Sequence, residues 1–424
     1  MKIFFCLSLL FFLSGCIEDR IDNVLYEGNL ASADYWSDEP KILSAGVGFS
    51  DINFVDFEDV TKENAMAAGA AWLDDMTCDQ NETELFTSLV LSSAEVTFKG
   101  KIDPSLFKDG AIGLDGQPVV FSWPILSNTL NPEDFRITLN TGEVLTPQLA
   151  GLPPNWEYNE RNCVVLFSEV SNRLPSSDPN ARFPIKCEIV DDATPLMLIG
   201  PNQEMVSAVG LSWETTTSPY DENQGPRLVG AKLNFCGTSA KGEGVGGSVL
   251  EGDNHPNDEF SLYGGGDFRL RMLTTGGFSP DGVRGVQPTD FEKFFRIHAE
   301  GEDGETVLID KVGQDFEVMG GKLKVVGLSD LGQAKGIYDE CYTEDRDNYI
   351  DIILVGDEAA ARNITFLEIP SLAGGYSAFY NPGGPGTTPT AGANYSAAGP
   401  PDLEPVIIAL DNPMRVSYDA FRYK

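Results

Sequence analysis

The sequence predicts a mainly β protein, with tandem immunoglobulin-like β-sandwich domains behind a short, partly helical N-terminal region. One observation is the texture of the chain past about residue 92, where short β-branched and aromatic runs alternate with Gly, Pro, Asn and Asp. Ala94–Phe98, Val119–Trp123 and Phe135–Leu139 are examples. Strand-length runs at regular spacing with turn residues between them read as a sandwich. The other observation is an internal repeat. Phe135-Arg-Ile137 followed by Gly142-Glu-Val-Leu145 recurs as Phe291, Arg296-Ile297 and Gly304-Glu-Thr-Val-Leu308. Val164–Glu169 is then echoed by Val325–Asp330, and the apolar run ending at Asp191-Asp192 by the one ending at Asp357-Glu358. The spacing between copies grows slowly along the chain, as small loop insertions in a duplicated unit would make it do.

The chain opens with Lys2 and an apolar run from Ile3 to Leu13, the length of a secretory signal and too short to span a bilayer. Leu13-Ser14-Gly15-Cys16 follows, and this segment resembles the lipobox of bacterial lipoproteins. The resemblance implies cleavage after residue 15 and a diacylglycerol on Cys16. Each buried CH₂ of such a lipid adds about 0.8 kcal/mol, so two or three acyl chains hold a protein on a membrane essentially permanently. Ile17 stands where some lipoproteins of the inner membrane carry aspartate, which points to the outer membrane of a cell envelope.

The expected organisation is a signal peptide over 1–15, then an anchor and N-terminal region over 16–91. The latter includes a helix over 61–76, where Met66, Ala70 and Leu73 recur at helical spacing and Thr61 can cap. A first sandwich is expected over 92–220 and a second over 227–370, joined by a Thr/Pro/Asn-rich linker at 215–226. The second carries a Gly- and Asp-rich loop at 237–259 without counterpart in the first, a place where binding functions commonly sit. Residues 371–424 form a C-terminal extension that is rich in Gly and Pro as far as Pro401.

Composition narrows the function. With 65 acidic against 29 basic side chains and a net charge of −36, the chain repels phosphate backbones, and nucleic-acid binding is excluded. Of its 7 cysteines, five lie beyond Cys16: Cys78, Cys163, Cys187, Cys236 and Cys341. Cys163 and Cys187 fall in two strand-like runs either side of a turn at 174–180, and a hairpin there would bring them together as a disulfide.

Only His255 and His298 are present, which argues against a Ser/His/Asp triad and multi-histidine metal sites. His298 lies in a strand-like run and reads as structural, and His255 lies in an Asp/Asn-rich turn. Gly242–Gly247 satisfies G-x-G-x-x-G without a following helix pattern, and Ser105–Lys108 satisfies S-x-x-K without its companion motifs. Neither specifies a reaction. The best cofactor candidate is calcium, for which Glu344, Asp345, Asp347 and Asp351 could supply hard oxygen ligands, although Ile350 and Gly356 replace the glycine and glutamate of an EF-hand loop. The commoner role of such a stretch is an acidic turn.

These features suggest a membrane-anchored extracytoplasmic lipoprotein acting as a binding or structural surface module, with a protein or glycan partner. The alternative is a carboxylate-based hydrolase of extracellular polymer, which requires two close carboxylates in an aromatic-lined cleft.

Overall fold

The computed structural model describes residues 31–46, 61–63, 74, 77–78, 115–152, 161–172, 174–219, 221, 227–236, 262–276, 284–332, 335–342, 348–370 and 401–418. The expected signal region with Cys16, most of the helix expected over 61–76, the loop at 237–259 and His255 lie outside the described residues.

The described chain is mainly β. Its first half runs β1 (Ala31–Asp34), β2 (Ile42–Ser44), β3 (Asp115–Phe121), β4 (Phe135–Leu139), β5 (Val144–Leu145), β6 (Leu149–Gly151), β7 (Cys163–Ser168), β8 (Pro184–Ile189), β9 (Met197–Ile199), β10 (Met205–Ser207) and β11 (Ser212–Glu214). Two four-stranded sheets result, ordered β2-β3-β7-β6 and β11-β8-β4-β5. Period-two alternation explains their packing: Phe135, Ile137 and Leu139 of β4 point inward while Arg136 and Thr138 stay partly exposed. The inward residues meet Val119, Phe121, Val164 and Leu166 of the other sheet in one core.

The second half runs β12 (Leu228–Phe235), β13 (Phe268–Thr274), α1 (Phe291–Phe294), β14 (Arg296–Glu300), β15 (Thr306–Ile309), β16 (Phe316–Val318), β17 (Gly321–Ser329), β18 (Tyr349–Gly356), α2 (Glu358–Ala361), β19 (Ile364–Ile369), β20 (Asp402–Ile408) and β21 (Arg415–Tyr418). Nine of these strands form one sheet ordered β15-β14-β19-β20-β12-β13-β18-β17-β16. Every pairing in it is antiparallel except β12 with β20. A single apolar cluster gathers Ile297, Ile309 and Leu367 from one arm with Leu270, Met272, Ile352 and Leu354 from the other. The sheet therefore folds over near that parallel pair and encloses its own core. Phe291 and Phe294 of α1 add aromatic bulk to it.

β3, β7 and β13 are buried along their whole length, so both of their faces are covered. On β3 and β7, Val119 and Val164 face the first core, while Val120 and Cys163 face away. These two meet Leu273 and Tyr349 of the second half, with Trp36 beside them. The halves thus pack through β3 and β7 on one side and β13 and β18 on the other.

This arrangement corrects the expected Cys163–Cys187 disulfide. β7 pairs with β3 and β6, whereas β8 pairs with β4 and β11, so the chain between the two cysteines crosses from one sheet to the other and makes no hairpin. Neither cysteine is disulfide-bonded, and both are buried. Cys163 donates to Asn348 Oδ1 at 3.2 Å, and burial pushes the Cys187 thiol up to about 12. The disulfide that forms joins Cys78 to Cys341, with Cα atoms 5.5 Å apart.

Thiol titration of the denatured, unreduced chain beyond Cys16 is expected to find three thiols outside disulfides, those of Cys163, Cys187 and Cys236. Five would contradict the bond. Cys341→Ser should cost about 2–4 kcal/mol in chemical denaturation, because the lost link closes a long loop.

Candidate functional site: a buried ionic clamp

Lys232 on β12, Arg271 on β13 and Asp351 on β18 are register partners across three adjacent strands. Their chain neighbours Ala231, Leu233, Leu270, Met272, Ile350 and Ile352 face the second core, so the three polar side chains share the opposite face. Such a row normally faces water. Here it is covered, with Lys232 at 0% and Arg271 at 1% exposure.

The cover comes from both ends of the described chain. β1 pairs antiparallel with β21 from Ala31↔Tyr418 to Asp34↔Arg415, and the ribbon brings Asp34 over the row. Asp34 Oδ1 accepts from Lys232 Nζ at 2.6 Å, and Asp34 Oδ2 accepts from Arg271 Nη1 at 3.2 Å. Arg415 of β21 reaches Asp34 Oδ1 at 3.3 Å. Lys232 also donates to the Met414 carbonyl at 2.9 Å and lies 5.0 Å from the Trp36 ring centroid. Trp36 can approach this closely because residue 230 is glycine; a Cβ there would sit 2.5 Å from the indole.

Arg271 organises the far side. Its Nε and Nη2 donate to the two oxygens of Asp351 at 2.8 and 2.9 Å, a bidentate fork, and Nη2 also reaches Asp330 at 2.5 Å. Arg269 stands 3.6 Å from the Asp351 carboxylate. Among the described residues the cluster holds four cations, Lys232, Arg269, Arg271 and Arg415, against the carboxylates of Asp34, Asp330 and Asp351.

Burial alone would raise the Asp34 carboxyl, but Lys232, Arg415, Arg271 and Arg269 together hold it well below the ordinary range. Burial lowers Lys232 to about 8 against the pull of Asp34, so near neutral pH it is still an ammonium. The arrangement is a clamp. Asp34, Asp330 and Asp351 are all buried and all meet cations, which leaves them poorly placed to exchange protons with a substrate.

The positions singled out from sequence map onto this frame unevenly. Of the expected calcium set, Asp351 pairs with Arg271 and Arg269, and Glu344, Asp345 and Asp347 lie outside the described residues. His298 on β14 hydrogen-bonds through Nε2 to Glu368, which also binds Arg296 at 2.5 Å. Asp34, Lys232 and Arg271 were missed. Their only signal was basic residues alternating with apolar ones in Ala231–Phe235 and Phe268–Leu273, a pattern that reads as a solvated face until a cover is known. No protein-family model, curated protein or solved structure matches the chain.

The clamp is asymmetric about Asp34. Asp34→Asn removes the carboxylate that Lys232, Arg271 and Arg415 share and should cost about 3–5 kcal/mol in urea unfolding, whereas Lys232→Met leaves Asp34 with two guanidinium partners and should cost less. Equal losses would contradict this assignment of charges. The pH dependence follows from the two shifts. Asp34, lowered on folding, contributes stability that is present above its unfolded value and lost in strong acid as pH falls through its folded one. Lys232, lowered to about 8, makes the folded state bind fewer protons than the unfolded chain between about pH 8 and 10.5. Wild-type protein should therefore gain stability relative to Lys232→Met across that window.

Proposed function

We propose that this chain is a lipoprotein of the cell envelope, held to a membrane through Cys16 and presenting tandem immunoglobulin-like domains as a binding or structural surface module. The observation that carries the reading is the clamp on β1. That strand begins 15 residues after Cys16 (31 − 16), so a pull on the anchor passes through a short tether into Asp34 and from there into β12 and β13. Firm attachment of the tethered end suits a module that bears load or holds a partner at a fixed place.

Strand order supports the immunoglobulin-like assignment. β2-β3-β7-β6 against β11-β8-β4-β5 corresponds to A-B-E-D against G-F-C-C′, the neighbour order of that fold. β12-β13-β18-β17 and β20-β19-β14-β15 repeat the order, with β16 added at the edge and β12 joined to β20 as a parallel A–G pair. The hydrolase alternative draws no support from the carboxylates gathered around Arg271, since Asp330 and Asp351 are both buried and paired with that cation. Ile17 favours the outer membrane.

Cys16→Ser is the direct test. The variant should leave the membrane pellet for the soluble fraction and lose incorporation of labelled palmitate. Membrane retention of the variant would sink the anchor.

A further inference from the structure

The two halves differ on one corresponding face. In the first, the outward row of the β11-β8-β4-β5 sheet is polar: Arg136 pairs across to Glu188 and Ser212, and Thr138 to Lys186 and Glu214. Lys186 binds Glu188 at 2.6 Å and reaches Glu214 at 3.6 Å. This is an ordinary solvated sheet face.

In the second half, register aligns Leu308 of β15, His298 of β14, Phe366 of β19 and Pro405 of β20 across four adjacent strands. Leu403 lies beside them, opposite Glu368. Leu308 and Phe366 are each 40% exposed and Leu403 is 45% exposed. The polar members of this face are engaged within it: Glu368 takes both His298 and Arg296, and the His298 ring stands edge-on to Phe366. Leu308, Phe366, Leu403 and Pro405 are left as apolar side chains towards solvent on this four-stranded part of the sheet. Large apolar side chains gathered in one patch, unlike single ones scattered over a surface, mark interaction sites.

Charge identifies the occupant. The turn from β14 to β15 carries Glu300, Glu302, Asp303 and Glu305, all exposed, and no Lys or Arg lies between Ala299 and Asp310. A second copy would set this acidic turn and a net charge of −36 against itself, and an anionic lipid surface would be repelled in the same way. We infer that the outer face of β15-β14-β19-β20 docks a cationic, amphipathic polypeptide, whose apolar side chains cover Leu308, Phe366 and Leu403 and whose basic groups face the Glu300–Glu305 turn. The inference rests on the module reading and names its partner class.

The experiment titrates the detergent-solubilised full chain with a labelled synthetic amphipathic peptide of leucine and lysine, followed by fluorescence anisotropy. Saturable one-to-one binding is expected. Leu308→Ser with Phe366→Ser should weaken it by about tenfold or more, the scale on which 1.4 kcal/mol is felt. Glu302→Gln, Asp303→Asn and Glu305→Gln together should weaken it and flatten its salt dependence. Glu188→Gln on the polar face should leave it unchanged. Absence of saturable binding, or binding that survives the Leu308/Phe366 change in a variant with unaltered circular dichroism, would overturn the proposal. Neither result bears on the anchor, which the Cys16 fractionation decides separately.

Discussion

The Asp34 carboxylate is the constraint on which the rest of the structure depends. It sits where β1, β21, β12 and β13 converge, and it is the group through which the N-terminal strand binds Lys232, Arg271 and Arg415 at once. Taking such charges out of water costs several kcal/mol per ion, and mutual attraction offsets this only when geometry and remaining hydrogen bonds are good. The fork of Arg271 on Asp351 and the carbonyl of Met414 on Lys232 supply those additional bonds. An apolar row could cover the same face with comparable stability, but it would not distinguish β1 in this register from a neighbouring one. A cation row met by a single carboxylate does.

The same place joins the two halves. Trp36 packs on Gly230 and 6.3 Å from the Tyr349 ring, while its backbone N–H donates to Ser122 of the first half. Tyr349 donates to Asn162, and Cys163 to Asn348, so polar bonds surround the apolar contact. The N-terminal strand therefore belongs to the contact between the halves and is more than a tether leading to it. This fits the proposed anchor, whose load would have to reach the whole body.

Much of the fold was legible because period-two alternation marks half-buried strands well. Phe135–Leu139 and Arg296–Glu300 became the corresponding strands β4 and β14, and the Gly-Glu echoes became the turns into β5 and β15. The later echoes slipped by one strand. Val325 lies in β17, which pairs with β16 and β18, whereas Val164 lies in β7, whose counterpart beside the second strand of its half is β18. Adjacent apolar strands resemble one another closely, and the extra edge strand β16 shifts the count. The clamp was illegible for another reason: Lys232 and Arg271 obey the alternation of a solvated face, and a ribbon made from the first and last described strands covers them. Cys163 and Cys187 misled because sequence proximity suggested a hairpin where the chain changes sheets. Asp351 looked like a cation ligand, and the cations that it meets among the described residues are guanidinium groups.

The claim that β1 is an integral, ion-locked strand is tested most directly by amide hydrogen exchange at Asp34, Tyr35 and Trp36 in wild-type protein and in Asp34→Asn. Tyr35 donates its amide to Met414 and Trp36 to Ser122, so wild type should show strong protection at both, comparable with β3 and β7. In Asp34→Asn that protection should collapse while β3 and β7 keep theirs. Rapid exchange at Tyr35 in wild type, or protection unchanged in the variant, would contradict the account.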